Sequence, residues 1–478
     1  MRRFQPRTVW DEQAAVPQMR GLAARAFSRA AGAPLIDGNR VRILKDAAEN
    51  FPAWLEAIRT ARRNIHFESY FVADDAIGGE FADALTAKAR EGVPVRVIYD
   101  WFGNLGKAGR SYWQRLRAAG VEVRCYNPPR FDSPFAWPSR DHRKMLEVDG
   151  EVAFISGLCV AGAWLGDPAR GLAPWRDTGV EIRGCAVAEV RTAFARAWSS
   201  MGDPFGESEI APPPPAGDVS LRIVASEPST AGMLRLDQLV AALARQRLWL
   251  TDAYYAGTSS YVQALRAAAR DGVDVRLLVP GATDLPLLRP LTRSGYRPLL
   301  EAGVRVFEWN GTMLHAKTAV MDDRWARVGS TNLNIASWLG NCELDAVIED
   351  TSFAGEMARM YEADLTNATE IVLDQKRRMR SPHLAHARIM GSGGGSTSRA
   401  AAGAMRLGRA VGAALTNRRV LDAVEARLTL GMGLVLALAS LLIALFPQVL
   451  AYPLAAIAAW VGVALLYRAY RLHRDRKR

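Results

Sequence analysis

Six histidines occur in the 478-residue chain, and two of them open the same spacing, His-x-Lys-x-x-x-x-Asp. The first motif, in DHRKMLEVDG, supplies His142, Lys144 and Asp149; the second, in LHAKTAVMDD, supplies His315, Lys317 and Asp322. On an extended segment residues i and i+2 share a face, so the histidine and lysine of each motif point into one place. An imidazole titrates near neutrality, so one neutral ring can attack phosphorus while a second, protonated, acts as the acid. Lysine adds fixed positive charge for the oxygens of a phosphodiester as it becomes five-coordinate. A diester carries a single negative charge, so two lysines serve it without a metal ion. The chain has no HxH or HExxH pattern, and His383 and His386 lack partner ligands nearby, so neither a metal nor a cofactor is expected. The aspartates read differently. Asp149-Gly150 separates two apolar runs, MLEV and VAFI, and Asp322-Asp323 takes the matching place. Both are hairpin-turn signals, so these members of the candidate catalytic set read first as turn residues.

The elements that must position the motifs come as an internal repeat. REGVPVRVIYD (90–100) is echoed by RDGVDVRLLVP (270–280), each behind an amphipathic stretch, EFADALTAKA (80–89) and YVQALRAAA (261–269). LRAAGVEVRCYN (116–127) is likewise echoed by LLEAGVRVFEWN (299–310). Helix, glycine turn and strand, twice per half, predict an α/β class with two duplicated sandwich domains in one chain, facing each other across a pseudo-two-fold axis. The period is too long for a solenoid. Punctuation then divides the chain. A basic segment (1–37) precedes the first domain (38–210), and the proline linker APPPPAGD (211–218) leads to the second (219–380). Residues 381–427 contain the flexible GSGGGSTS (391–398) and an Ala- and Arg-rich stretch, read as a basic juxtamembrane helix or equally as a solvated linker helix.

Beyond lie two uncharged apolar runs, 428–446 and 449–467, each just long enough to span a bilayer. Arg418, Arg419 and Arg427 precede them, and Arg468, Arg471, Arg474 and Arg476 follow in the basic tail (468–478). The expectation is a C-terminal transmembrane helical hairpin (428–467) with both ends, and the catalytic domains, on the cytoplasmic side of the cell membrane. The alternative is a hairpin buried in a soluble core. Composition is that of a globular protein, 49% hydrophobic and 23% charged. The 61 Lys+Arg against 49 Asp+Glu give a net charge of +12, which implies anionic company: nucleic acid, an acidic membrane surface, or both. Cys125, Cys159, Cys185 and Cys342 form no CxxC or disulfide framework, and no apolar run follows the N-terminal MRRFQPRTVWDEQ, so a reducing compartment and no secretory signal are expected.

Both motifs resemble the HKD signature of the phospholipase D superfamily, over roughly residues 38–380. The HRK form of the first, WRDTGVEIRG (175–184), and the NIHFESYFV and RLWLTDAYY segments are similar to bacterial cardiolipin synthases. The resemblance implies that one histidine forms a phosphohistidine intermediate while the other protonates the leaving alcohol and activates the incoming one. It places the nucleophile at His142 and the acid/base at His315, an order the sequence itself leaves open. It also implies an acid downstream of each motif that holds a histidine's other nitrogen, matched by Asp177 and Glu343. Small polar residues after each motif line the phosphate site; Ser330 and Asn332 match in the second half and Ser156 in the first. Cys159 stands where the pattern has asparagine, losing an amide donor, and reads as a buried small hydrophobe rather than a redox-sensitive thiol. Glu68 resembles a further acidic position.

The function so implied is phosphatidyl transfer between two phosphatidylglycerols, with anionic phospholipids and the membrane as partners. The alternative in the same chemistry is a phospholipase D that passes the phosphatidyl group to water or another alcohol. A superfamily nuclease suits the charge but gains nothing from a membrane anchor, and no aromatic-and-basic stripe for bases stands out, so no nucleic acid is expected. A catalytically silent scaffold would lack a motif histidine or lysine, and none is missing. Oligomeric state is not legible.

Overall fold

The computed structural model describes residues 24–129, 139–204, 213–285, 288–373, 418–420, 434, 437–438 and 440–475. The first half runs β1 (Ile36–Lys45), helix Asp46–Thr60, β2 (Ile65–Ser69), helix Ala76–Arg90, β3 (Val95–Asp100), helix Arg110–Ala118 and β4 (Glu122–Tyr126). The hairpin β5 (Lys144–Val148) and β6 (Val152–Ser156), β7 (Thr178–Gly184) and helix Val187–Ser200 complete it. The second half runs β8 (Val219–Ser226), helix Gly232–Leu243, β9 (Arg247–Thr251), helix Ser259–Arg270, β10 (Asp274–Ala282), short helices Leu288–Ser294 and Tyr296–Glu301, and β11 (Arg305–Met313). It closes with β12 (Thr318–Met321), β13 (Trp325–Gly329), β14 (Glu343–Glu349), helix Thr351–Leu365 and β15 (Ala368–Val372).

Strand order is β1-β7-β6-β5-β2-β3-β4 in one half and β8-β14-β13-β12-β9-β10-β11 in the other, the same arrangement twice. The repeated glycines do what their position requires: Gly92 and Gly272 end their helices at φ 89° and 93°, open to glycine without strain. The halves join where β1 pairs antiparallel with β8 through Ile36↔Leu221 and Asn39↔Val219, across a bulge. From there each strand runs to its own acid: Lys45 pairs with Thr178, next to Asp177, and Ser226 pairs with Glu343. An apolar cluster shared by both halves lies between them, with Ile155, Val180 and Ile182 from the first packed with Val328, Leu344 and Ile348 from the second. Burial of this surface is what holds the two motifs together.

Three expectations change. The N-terminal segment, expected only as a basic stretch, carries a helix, residues 24–31, whose Phe27 and Ala31, one turn apart, enter the core of the second half. Arg222 fastens it by donating to the Ala24 carbonyl at 3.0 Å. Within the stretch expected as a basic helix, Arg418–Val420 instead forms an edge strand, β16, beside β15; the other residues of 381–427 lie outside those described. The spanning hairpin is not found: among the described residues no helix is long and apolar enough to cross a membrane. The run 449–467 lies in an alanine-rich helix, Gln448–Asp475, which contains Pro453 and continues into the basic stretch; of 428–446, residues 434, 437–438 and 440–445 are helical.

Candidate active site

Each motif histidine reaches across the join. The His142 N–H donates to the Cys342 carbonyl at 2.9 Å, and the His315 N–H donates to the Arg176 carbonyl at 2.7 Å. The residue after each of those carbonyls is the acid. Short parallel bridges between the halves, Asp141↔Cys342 and Arg176↔Leu314, therefore present Glu343 to His142 and Asp177 to His315. The contacts are close: His142 Nδ1 lies 2.9 Å from Glu343 Oε2, and His315 Nδ1 lies 2.9 Å from Asp177 Oδ2. Each acid lies downstream of one motif in the chain but holds the histidine of the other. Arg176 keeps its segment in place through Asp364, at 2.9 and 2.8 Å, and Asp46, at 3.1 Å.

The two lysines bracket the rings. Lys144 and Lys317 each donate to the backbone carbonyl of their own histidine. Lys317 Nζ also stands 2.9 Å from His315 Nδ1 and 3.0 Å from Nε2. Aromatic rings close the sides: Tyr70 meets His142 edge-on with centroids 5.0 Å apart, while Trp164 and Tyr254 meet His315 at 5.2 and 5.7 Å.

Burial and the lysines set the charges. Burial lowers His142 to about 4, with Lys144 and Lys317 adding to it and Glu343 opposing. Burial and then Lys317 lower His315 to about 4 against the pull of Asp177. Lys317 is lowered to about 8, by burial and by the neighbouring Lys144. Burial pushes both acids up, but the histidines and lysines win: Asp177 falls below the usual carboxylate range through His315, Lys317 and the Trp164 N–H, and Glu343 through His142, Lys144 and Ser330. Two neutral rings, each oriented by an ionised carboxylate, thus face two lysines in a pocket from which water is largely excluded.

The remaining candidates separate. Asp149 and Asp322 stand at the far ends of β5 and β12, and a five-residue strand holds Asp149 roughly 16 Å from Lys144. The Asp149 carboxylate accepts the N–H groups of Arg62, Arg63 and Asn64, at 2.8, 2.6 and 2.9 Å. Asp322 accepts those of Arg245, Gln246 and Arg247, at 2.9, 2.8 and 3.0 Å. Both occupy left-handed turns, φ 60° and 51°, and both clamp the entry to the neighbouring strand, so neither reaches the histidines. Ser330 Oγ donates to Glu343 Oε2 at 2.5 Å. Asn332 Nδ2 lies 3.5 Å from Ser337 Oγ, and its Oδ1 is buried with no hydrogen-bond partner among the described residues. Ser156 bonds locally, accepting from the Leu158 N–H at 3.1 Å. Its strand register matches it to Gly329, so Gly157 is the counterpart of Ser330. A Cβ on Gly157 would lie 2.2 Å from Asp177 Oδ1, which is why a side chain is missing there. Cys159 is buried, and its thiol, pushed up by burial, feels both lysines. Glu68 is not in the pocket; it lies behind the site, 3.8 Å from Arg143, its carboxyl pushed well above the usual range by burial and by neighbouring Asp141.

Tyr70, Tyr254, Trp164, Arg143 and Arg176 were not marked as site residues by the motifs. The repeat does carry a signal for the tyrosines, since one follows each of the strands β2 and β9.

Two histidine–carboxylate pairs crossed between duplicated α/β halves, with a lysine at each ring, define a phospholipase D-like phosphodiester transferase. The family described as "Cardiolipin synthase, PLD-like domain" matches residues 54–159 and 240–365. The cardiolipin synthase of Halalkalibacterium halodurans is 33% identical over 74% of this chain and 72% of its own. Cardiolipin synthase A of Pseudomonas aeruginosa is 34% identical over 78% of this chain and 76% of its own. The crystal structure of phosphatidylserine synthase from Haemophilus influenzae Rd KW20 shares the fold, with a TM-score of 0.54 at 14% identity over 73% of this chain and 91% of that one. The chain belongs to the cardiolipin synthase family of phospholipase D-like enzymes.

Proposed function

We propose that the chain transfers a phosphatidyl group from one phosphatidylglycerol to the headgroup hydroxyl of a second, forming cardiolipin and releasing glycerol. The observation that carries this reading is the pair of buried neutral imidazoles, each oriented through Nδ1 by a carboxylate from the opposite half and each beside a lysine. His142 Nε2 attacks phosphorus, a P–N bond forms, and the P–O bond to glycerol breaks. His315, protonated as the diester's negative charge offsets the lysines that keep it neutral, gives its proton to the glycerol oxygen. It then takes a proton from the incoming hydroxyl, whose oxygen displaces His142 from phosphorus. Lys144, Lys317 and the Asn332 side chain hold the non-bridging oxygens and the neighbouring hydroxyl as charge develops. Asp149 and Asp322 act as turn clamps, and Ser330 braces Glu343.

Membrane association on the cytoplasmic face belongs to the same reading. The C-terminal helix exposes Leu454, Ile457, Val463 and Leu465, and its sequence ends in arginines. The unit from 38 to 210 and that from 219 to 380 act as one catalytic body rather than as separate domains, because neither orients its own histidine. The test is incubation of the detergent-solubilised protein with labelled phosphatidylglycerol, without added metal, beside His142→Ala. Cardiolipin and glycerol from the wild type alone support the reading; phosphatidic acid means that water is the acceptor; no lipid product from the wild type removes it.

A further inference from the structure

We propose that the loops at the mouth of the site form a rim that dips into the surface of an anionic phospholipid layer, so that the diester enters from the lipid side. The proposal rests on the phosphatidyl-transfer reading and adds to it the face that docks. Among the described residues between 24 and 373, exposed large apolar side chains are few and almost all at one end of the molecule. Phe102, 49% exposed, and Leu105, 61% exposed, stand on the loop after β3; Leu165 and Leu172 stand on the loop from β6 to β7. Their counterparts in the second half are Leu285, after β10, and Ile335 with Leu339, between β13 and β14. All four loops leave the strand ends where Ser69 pairs with Lys144, where Asp177 precedes β7 and where Glu343 opens β14. The exception among the described residues, Leu243, ends a helix at the opposite end, beside the Asp322 clamp.

The same loops touch the chemistry with their inner residues. Trp164, which precedes Leu165, packs on His315. Asp284, which precedes Leu285, accepts from the Tyr254 hydroxyl at 2.8 Å. Ser337, between Ile335 and Leu339, meets Asn332. Apolar tips on both halves thus surround one opening. Charge on the rim points the same way: Lys107, Arg110, Arg170 and Arg289 are exposed there and make no ion pair among the described residues, with Lys107 lying over the Phe71 ring at 4.9 Å. Several nearby acids are engaged in their own loops, Asp75 by the Gly78 and Gly162 N–H groups and Asp167 by the Arg170 N–H. An apolar patch ringed by exposed cations, continuous with a site for a lipid phosphodiester, fits the boundary between anionic headgroups and acyl chains.

The test uses the full chain bound to vesicles of mixed phosphatidylglycerol and phosphatidylcholine. Cys125 and Cys185 are changed to serine, and an environment-sensitive fluorophore is placed at Leu172→Cys or, as a control, at Leu243→Cys. The probe at 172 is expected to shift to the blue and to be quenched by lipid spin-labelled in its acyl chain, with the probe at 243 remaining in water. Absence of vesicle binding, a probe at 172 that stays in water, or equal responses from both would overturn the rim. In parallel, Leu105→Glu with Leu172→Glu should lower turnover of vesicle substrate roughly tenfold or more, since charge replaces buried leucine. The same variant should keep turnover of monomeric, short-chain phosphatidylglycerol within about twofold, because no docking is needed there. Equal loss on both substrates counts against the rim. No turnover by the wild type on either substrate counts against phosphatidyl transfer, while the fluorophores still decide whether the rim meets lipid.

Discussion

The two halves place the same histidine in different surroundings. His142 stands in front of charge. Behind it Arg143, wholly buried, donates to the Glu343 carbonyl at 3.2 Å and to Ala193 and Ser226 carbonyls at 3.1 Å, with Glu68 and Asp141 as its counter-charges. The register places Thr251, Leu314 and Ala316 at the equivalent points behind His315. That ring instead has Trp164, Trp175 and Tyr254 around it, with centroids at 5.2, 5.9 and 5.7 Å. The acids differ in step: Glu343 is held by a serine hydroxyl and by Asn341 at 3.2 Å, and Asp177 by the Trp164 indole at 2.9 Å. Duplication kept the geometry, a carboxylate on each Nδ1, and let the supports diverge. One ring rests on a charged network and the other in an aromatic box with a lysine on both its nitrogens, which fits one ring as nucleophile and the other as the proton carrier.

The largest effect separates those roles. His142→Ala should lower turnover by about four orders of magnitude or more and leave no covalent lipid on the protein. His315→Ala should be as slow in turnover yet still carry label from a substrate with an activated leaving group; label on the His142→Ala variant instead would reverse the assignment. Next is Arg143→Ala, which leaves Glu68 and Asp141 buried without their counter-charge and should destabilise the fold by about 3–5 kcal/mol. Ala316→Ser, at the matching place, should change the denaturation midpoint little, and equal losses would show that the charged network is no special feature of the first half. Ser330→Ala removes one hydrogen bond to an ionised acid, so kcat should fall roughly tenfold to a hundredfold with KM little changed. The smallest is a matter of shape. His142 must be neutral to attack, so activity should rise with pH through about 4; once bound diester holds the proton on His315, Lys317 must still be charged, so activity should fall through about 8. Lys317→Arg, whose guanidinium keeps its proton, should remove the alkaline fall and leave the acid limb where it is. A fall that persists in that variant would assign it elsewhere.

Much of this was legible along the chain because it is local. His142 with Lys144, and His315 with Lys317, are two residues apart, and one strand face brings each pair together. The glycine turns and the Asp149 and Asp322 hairpins are likewise decided by a few neighbouring dihedral angles. Asp177 and Glu343 were found as acids after each motif, but their partners were not legible, for the contacts join residues 138 and 201 positions apart. At the two ends the sequence pattern said less: the N-terminal basic stretch carries a core helix that no motif marks, and among the described residues no helix is long and apolar enough to cross a membrane.

The residue types and their spacing by themselves determined the chemistry available, two imidazoles and two lysines on repeated strands, and the duplicated α/β architecture that carries them. Only the tertiary structure decided that each carboxylate serves the opposite half, that Arg143 has a charged setting and Ala316 an apolar one, and that exposed apolar tips from both halves gather at one end of the molecule. The physical reason is that periodicity records which face of an element is buried, while the identity of what meets that face depends on how the two halves close over their shared core.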